Sequence, residues 1–179
     1  MKGNTGMMIE TERLTLRPMC REYFASTHEY AADPENTRYM LFLPNDSEDE
    51  TLQYLSDAEA EFSKEKPSYY EMAVFLGEEH IGAVSLYLSE NGGPAEFGWI
   101  INKRFHGHGY AAEAAAALLG YAANELGIRR FQAHCDSENL PARRVMEKLG
   151  MALADEYGGR YNKLAPGEER RECLYTLEL

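Results

Sequence analysis

The sequence predicts an α+β fold, a mixed α/β arrangement in which a central, mostly antiparallel sheet of about seven strands is flanked by about four helices. Two observations carry this expectation. Strand-like alternation recurs in consecutive runs between residues 69 and 101, separated by turn residues, as in a meander. A strand, a helix and a strand then follow one another around Gly109, which calls for one right-handed parallel crossover.

Taken in order, "RLTLRPM" (13–19) alternates like an edge strand that stops at Pro18, and "REYFASTHEYAAD" (21–33) carries apolar residues at helical spacing. "SEDETLQYLSDAEAEFSKE" (47–65) sets Leu52, Leu55, Ala58 and Phe62 on one helical stripe, behind a Ser47 cap with Glu50 three residues on. "YYEMAVFLG", a Gly77-Glu78 turn, "EHIGAVSLYLSE", the turn "NGG" (91–93) and "PAEFGWII" make three antiparallel strands. A helix over 109–126, a strand "RFQAHC", a helix over 141–149 and two strands around "ALADEYGGRY" and "RECLYTLEL" complete the chain. No repeat or linker interrupts it, so residues 1–179 are expected to form a single domain, with 1–8 a disordered leader.

Lys plus Arg number 18 against 30 Asp plus Glu, a net charge of -12. Phosphate backbones and anionic lipid are repelled by such a surface, which disfavours nucleic acid and membrane as partners. The same charge suits a cationic amine, and it equally serves solubility. Cys20, Cys135 and Cys173 form no CxxC pair, and the most apolar stretch, residues 111–123, is too short to span a bilayer and contains Glu113. A cytoplasmic protein is expected, a monomer or a homodimer.

The segment "NKRFHGHG" (102–109) lies between a strand end and a helix start. Unpaired amide N–H groups and the dipole make a helix N-terminus an anion site, and Gly107 and Gly109 let an anion approach the backbone. The plain alternative is a glycine turn before a helix rich in alanine. "GHGYAA" formally matches the dinucleotide pattern G-x-G-x-x-A, but such a loop should follow the first strand of a parallel sheet, and here three antiparallel strands precede it. The Lys-hydroxyl pair of a P-loop is missing. His106 and His108 at i, i+2 have no clustered partners, so no metal site is expected.

The segments "EFGWIINKRFHGHGYAAEA" and "NLPARRVMEKLGM" resemble the GCN5-related N-acetyltransferase (GNAT) family, in particular its ribosomal-protein-acetylating branch. "RFHGHG" fits the signature [RQ]-x-x-G-x-[GA] at Arg104, Gly107 and Gly109, and the N-x-x-[SA]...EKLG block falls on Asn139, Ala142 and Glu147 to Gly150. "IETERLTLRP" extends the resemblance back to Ile9. It implies acetyl-CoA as cosubstrate, with the pyrophosphate on the loop amides of Phe105, His106, Gly107, His108, Gly109 and Tyr110. The pantetheine arm would lie between two splayed parallel strands ending near Ile101 and Cys135, with Asn139 on its amide. Arg144, Lys103 and Arg104 are candidates for phosphate oxygens, or else solvated surface charges.

The implied reaction is N-acetylation of a primary amine by direct attack, which needs a base for the amine and a proton for the departing thiolate. Glu96, beside the cofactor strand, is the candidate base; His134, Asp136 and water are its alternatives. Where the family offers a Ser or a Tyr as acid, this chain has Ala142 and Met146, which donate nothing. Tyr30, Tyr39, Phe42, Tyr157 and Tyr161, near Asp155 and Glu156, are expected around the acceptor, whether a protein N-terminus or a small amine. Two other readings stand beside this one: a CoA-binding sensor, motivated by the missing Ser and Tyr, and an NAD-linked oxidoreductase.

Overall fold

The computed structural model describes residues 6–179. Its elements are β1 (Ile9–Glu10), β2 (Leu14–Pro18), α1 (Phe24–Ala31), α2 (Glu48–Phe62), β3 (Tyr69–Leu76), β4 (Glu79–Tyr87), β5 (Ala95–Ile101), α3 (Tyr110–Asn124), β6 (Arg130–Asp136), α4 (Leu140–Lys148), β7 (Ala152–Arg160) and β8 (Arg170–Glu178). All eight strands join one sheet in the order β1-β2-β3-β4-β5-β6-β8-β7. It is antiparallel throughout except for β5 and β6, the crossover pair expected around α3.

Local chemistry explains most boundaries. α2 starts where Ser47 Oγ accepts the Glu50 N–H at 3.3 Å, the cap expected there, while the Glu50 carboxylate reaches back past Ser47 to the Asp46 N–H at 2.8 Å. Leu55, Ala58 and Phe62 are buried on its inner stripe, but Leu52 is exposed. Cys20 provides no side-chain cap, so residues 21–23 form a tight 3-10 turn and α1 starts only at Phe24. The sequence reading omits β1, whose two residues are too short to alternate. It pairs with Leu16 and Thr15, so β2 is an edge only toward Pro18, the residue that has no N–H to offer.

Helices cover both faces. α3 and α4 pack on the face carrying Leu16, Met72, Val84, Phe97, Phe131 and Tyr175, and α1 and α2 on the face carrying Ala73, Phe75, Ala83 and Ile100. Residues 1–5 of the expected leader lie outside the described residues; Met7 packs against the larger core cluster. Among the described residues no helix is long and apolar enough to cross a membrane.

Candidate active site

β5 and β6 are paired only at Ala95↔Phe131, Glu96↔Gln132 and Phe97↔Ala133. Beyond Phe97, β5 continues to Ile101 against β4 alone, and β6 continues to Asp136 against β8. The two parallel strands therefore part over their C-terminal halves, leaving the N–H and C=O groups on one side of residues 98–101 without a strand partner. This is the splay expected at the cofactor site.

Beyond the splay, the chain turns through residues 102–109 into α3. Asn102 anchors the turn: its N–H donates to the Ile81 carbonyl at 2.8 Å, and its Oδ1 accepts the Arg104 N–H at 3.1 Å. Gly107 and Gly109 both have φ of +82°, in the left-handed region that costs an L-residue about 1–2 kcal/mol. A Cβ on Gly107 would meet nothing within 4 Å, and one on Gly109 only the Arg13 guanidinium at 3.7 Å, so the space above the loop is open. Gly109 caps α3 without a side-chain bond, and the first amides of the helix have no side-chain partner. The loop thus fits a phosphate ester, whose oxygens would fill the place these missing side chains leave.

The histidines serve the loop itself. His106 Nε2 donates to the Ile101 carbonyl at 2.7 Å, and the His108 ring stacks on Tyr110. The basic residues divide. Arg104 pairs with Glu29 and Glu79, and Lys103 with Asp33 and Glu35, so the charge of both is met by carboxylates. Arg144 is exposed on α4 and has no ion-pair partner among the described residues. The cation that sits on the loop is Arg13, which sequence reasoning passed over. Its Nη1 donates to the His108 carbonyl at 3.0 Å, its Nε to Glu113 at 2.7 Å, and its guanidinium lies 4.7 Å over the Tyr110 ring. Thr11 and the Arg13 N–H also bond Glu113; burial pushes that carboxyl up, but these bonds outweigh it and hold it low.

Asn139 caps α4, with its Oδ1 accepting the Ala142 N–H at 3.2 Å. Ala142 and Met146, at the positions of the family's acids, are buried in the core.

On the opposite face from α3, Glu96 meets His134 across the parallel pair: the carboxylate lies 2.7 Å from Nδ1, and Gln132 Nε2 donates to its other oxygen at 3.0 Å. Burial pushes Glu96 up, but the bonds from His134 and Gln132 outweigh it, and it stays below the usual carboxylate range. The bond to Glu96 in turn raises His134, against the effect of burial. This bond assigns the proton to Nδ1 and leaves Nε2 for other partners. Asp136 is fully buried and saturated: it accepts from Arg170, from Asn162 at 2.6 Å and from the Glu138 N–H at 2.9 Å. Its carboxylate ties β6 to the β7–β8 hairpin. Burial pushes its pKa up, and the Arg170 guanidinium overcomes that and holds it down.

The aromatics expected around an acceptor separate. Tyr30, on the buried side of α1, is enclosed; Phe42, Tyr157 and Tyr161 are exposed. The segment between α1 and α2 is fastened to the end of β7 by Arg160 donating to the Tyr39 carbonyl at 2.7 Å, and to the β7–β8 connection by the Lys163 N–H donating to the Met40 carbonyl at 3.0 Å. Glu156 is paired with Arg171. Among the described residues no group of three His, Cys, Asp or Glu is gathered to hold a metal ion.

One splayed parallel pair beside a glycine-capped helix is the arrangement expected of an acetyltransferase of the GNAT family, and known proteins similar to this chain belong to that family. The family model described as an acetyltransferase (GNAT) domain matches residues 13–152. The "Uncharacterized N-acetyltransferase YnaD" of Bacillus subtilis is 34% identical over 148 residues, 81% of this chain and 82% of that protein. A GNAT-family acetyltransferase from Bacillus anthracis is 26% identical and superposes with a TM-score of 0.81 over 96% of this chain and 98% of that one. The ribosomal L7/L12 α-N-protein acetyltransferase RimL, solved in complex with coenzyme A, has the same fold at 19% identity, with a TM-score of 0.83 over 97% of this chain and 98% of that one. The chain belongs to the GNAT family. It is, in class, an acetyl-CoA-dependent acetyltransferase.

Proposed function

We propose that the whole chain acts as one N-acetyltransferase domain that moves an acetyl group from acetyl-CoA to a primary amine by direct attack in a ternary complex. The observation that carries this reading is the parting of β5 from β6 directly beside the glycine-capped start of α3. A pyrophosphate would rest on the amides of residues 105–110, and a pantetheine arm would bond the Asn139 side chain and the edge of residues 98–101 that the His106–Ile101 bond leaves open. Arg13 supplies the loop with positive charge, and Arg144 is a second cation free to meet phosphate. Acetyl-CoA, when bound, supplies the acetyl group activated as a thioester.

The chain's own residues then do two things. A free N–H of β5 donates to the acetyl oxygen, a preorganised donor aimed at the developing charge. The Glu96–His134 pair receives the proton of the amine: His134 Nε2 carries the lone pair, and Glu96 orients the ring and favours its protonated form. No hydroxyl stands at the family's acid positions, so the thiolate takes its proton from solvent or from the second proton of the nitrogen, which becomes positively charged as it attacks.

Thiol release from acetyl-CoA over a panel of primary amines, with the amide product identified by mass, tests the proposal. The missing hydroxyls favour one second reading, a CoA-binding sensor; tight CoA binding without thiol release on any amine would select it.

A further inference from the structure

Three carboxylates are buried among the described residues: Glu61, Glu71 and Asp136. Glu61 is paired with Lys64 and Asp136 with Arg170. Glu71 is different. No Lys, Arg or His among the described residues pairs with it; tyrosines face it instead. Tyr87 of β4 donates to its Oε2 at 3.3 Å, and Tyr54 of α2 lies beside it. Tyr30 of α1 and Tyr69 of its own strand lie within reach of its charge. Arg17, the cation on the same face of β2, stacks over the Phe75 ring instead.

The second observation is independent. Tyr30 is 2% exposed, and its hydroxyl has no hydrogen-bond partner. A carboxylate without a cation and a hydroxyl without a partner, both buried, are each costly, and their costs are relieved together by a group that is cationic and donates several hydrogen bonds. A primary ammonium, with three N–H donors, is the smallest such group.

The cluster also has a fixed relation to the proposed reaction centre. Register pairs Glu71 with Ser85 and Ser85 with Gly98, the first residue past the point where β5 leaves β6. Ser85 Oγ occupies the space over Gly98, 2.8 Å from where a Cβ would stand. One row along, Tyr87 is paired directly with Glu96. Glu71 and Glu96 therefore flank Tyr87 on one face, two strands and two residues apart, a Cα separation of about 12 Å at ordinary strand spacing.

We propose that Glu71, with Tyr30, Tyr54 and Tyr87, holds a second, non-reacting ammonium of the acceptor, so that the preferred acceptors are amines with two basic nitrogens. This inference rests on the acetyltransferase reading, in which the other nitrogen is acetylated beside Gly98 and the Glu96–His134 pair. Burial pushes Glu71 up to about 7. Near neutrality the Glu71 carboxyl is therefore shared between its protonated and ionised forms, and an entering ammonium binds the ionised form, which grows as pH rises through that value.

The test is calorimetric titration of the CoA-loaded protein with 1,4-diaminobutane and with n-butylamine, followed by thiol-release assays of both amines with acetyl-CoA. The expected Kd ratio favours the diamine by about tenfold or more, increases between about pH 6 and pH 8, and collapses toward unity in Glu71→Gln. Tyr30→Phe, which removes only the unpartnered hydroxyl, lowers the ratio and covers the case in which Glu71→Gln fails to fold. A wild-type ratio near one, a ratio flat with pH, or one unchanged in either variant overturns the subsite. Absence of thiol release from both amines overturns the acetyltransferase reading instead, and the binding ratios still decide the subsite.

Discussion

Arg13 and Glu113, a hundred residues apart in the chain, form a two-point ion pair across the start of α3, at 2.7 Å from Nε and 2.5 Å from Nη2. A carboxylate in the first turn of a helix suits the helix dipole, but it repels any phosphate placed on the same amides. Arg13 removes that repulsion and, through the His108 carbonyl, fixes the loop. Arg13→Ala should therefore raise the KM for acetyl-CoA by about tenfold or more and change kcat little. Glu113→Gln should not weaken CoA binding, and adding it to Arg13→Ala should recover part of the loss. Equal KM values in Arg13→Ala and the wild type would remove the pair from the site.

The loop glycines give a sharper steric prediction. Both have φ of +82° and open space above them, so a side chain there stands where the phosphate is proposed to lie. Gly107→Glu and Gly109→Trp should weaken CoA binding by more than tenfold while costing the fold about 1–2 kcal/mol. Titration and thermal melts on the same samples separate the two effects, and unaltered affinity would contradict the assignment.

The Glu96–His134 pair predicts a pH signature. His134 has a raised pKa because of Glu96, and a base must be neutral to accept a proton, so kcat/KM should rise with pH through that raised value. Glu96→Gln should move this acidic limb to lower pH as well as lower the rate. The stability terms follow the same signs. The pair's stabilisation through His134 is full below the unfolded histidine pKa and is lost as pH rises through the folded one. The contribution of Glu96 is present above its unfolded pKa and lost as pH falls through its depressed folded value. A limb that stays in place in Glu96→Gln would show that His134 is not the group titrating.

Asp136, close to His134 in sequence, should behave as a structural residue. Asp136→Asn takes from Arg170 its one buried partner and leaves it Glu138 and Glu168, and the expected cost is about 1–3 kcal/mol, read as a lower Tm or denaturation midpoint. Its pH dependence has the same sign as that of Glu96, with stability lost on acidification. If folded Asp136→Asn lost turnover without losing stability, Asp136 would belong to the chemistry.

The parts of this site that were legible in the sequence are those fixed locally. The turn of Gly107 and Gly109 and the cap of α2 at Ser47 each depend on a few adjacent residues. Glu96 and His134 could be named as alternatives but not as partners, because they lie 38 residues apart and meet only through the pairing of two strands on either side of α3. Arg13, Glu71 and the arginines of Asp136 were illegible for the same reason: their partners come from distant strands or helices, and a lone charge in a strand pattern reads as solvent-facing. Arg104 and Lys103 show the converse, since adjacency to the glycine loop suggested phosphate while their side chains pair with carboxylates of α1, the residues after it and β4.

Two-substrate initial-rate kinetics, with acetyl-CoA and 1,4-diaminobutane varied together, test the central claim most directly. Direct transfer in a ternary complex predicts thiol and amide released in equal amounts and reciprocal plots that intersect. Parallel plots, the mark of an acetylated enzyme, or no thiol release with any primary amine tried, would contradict it.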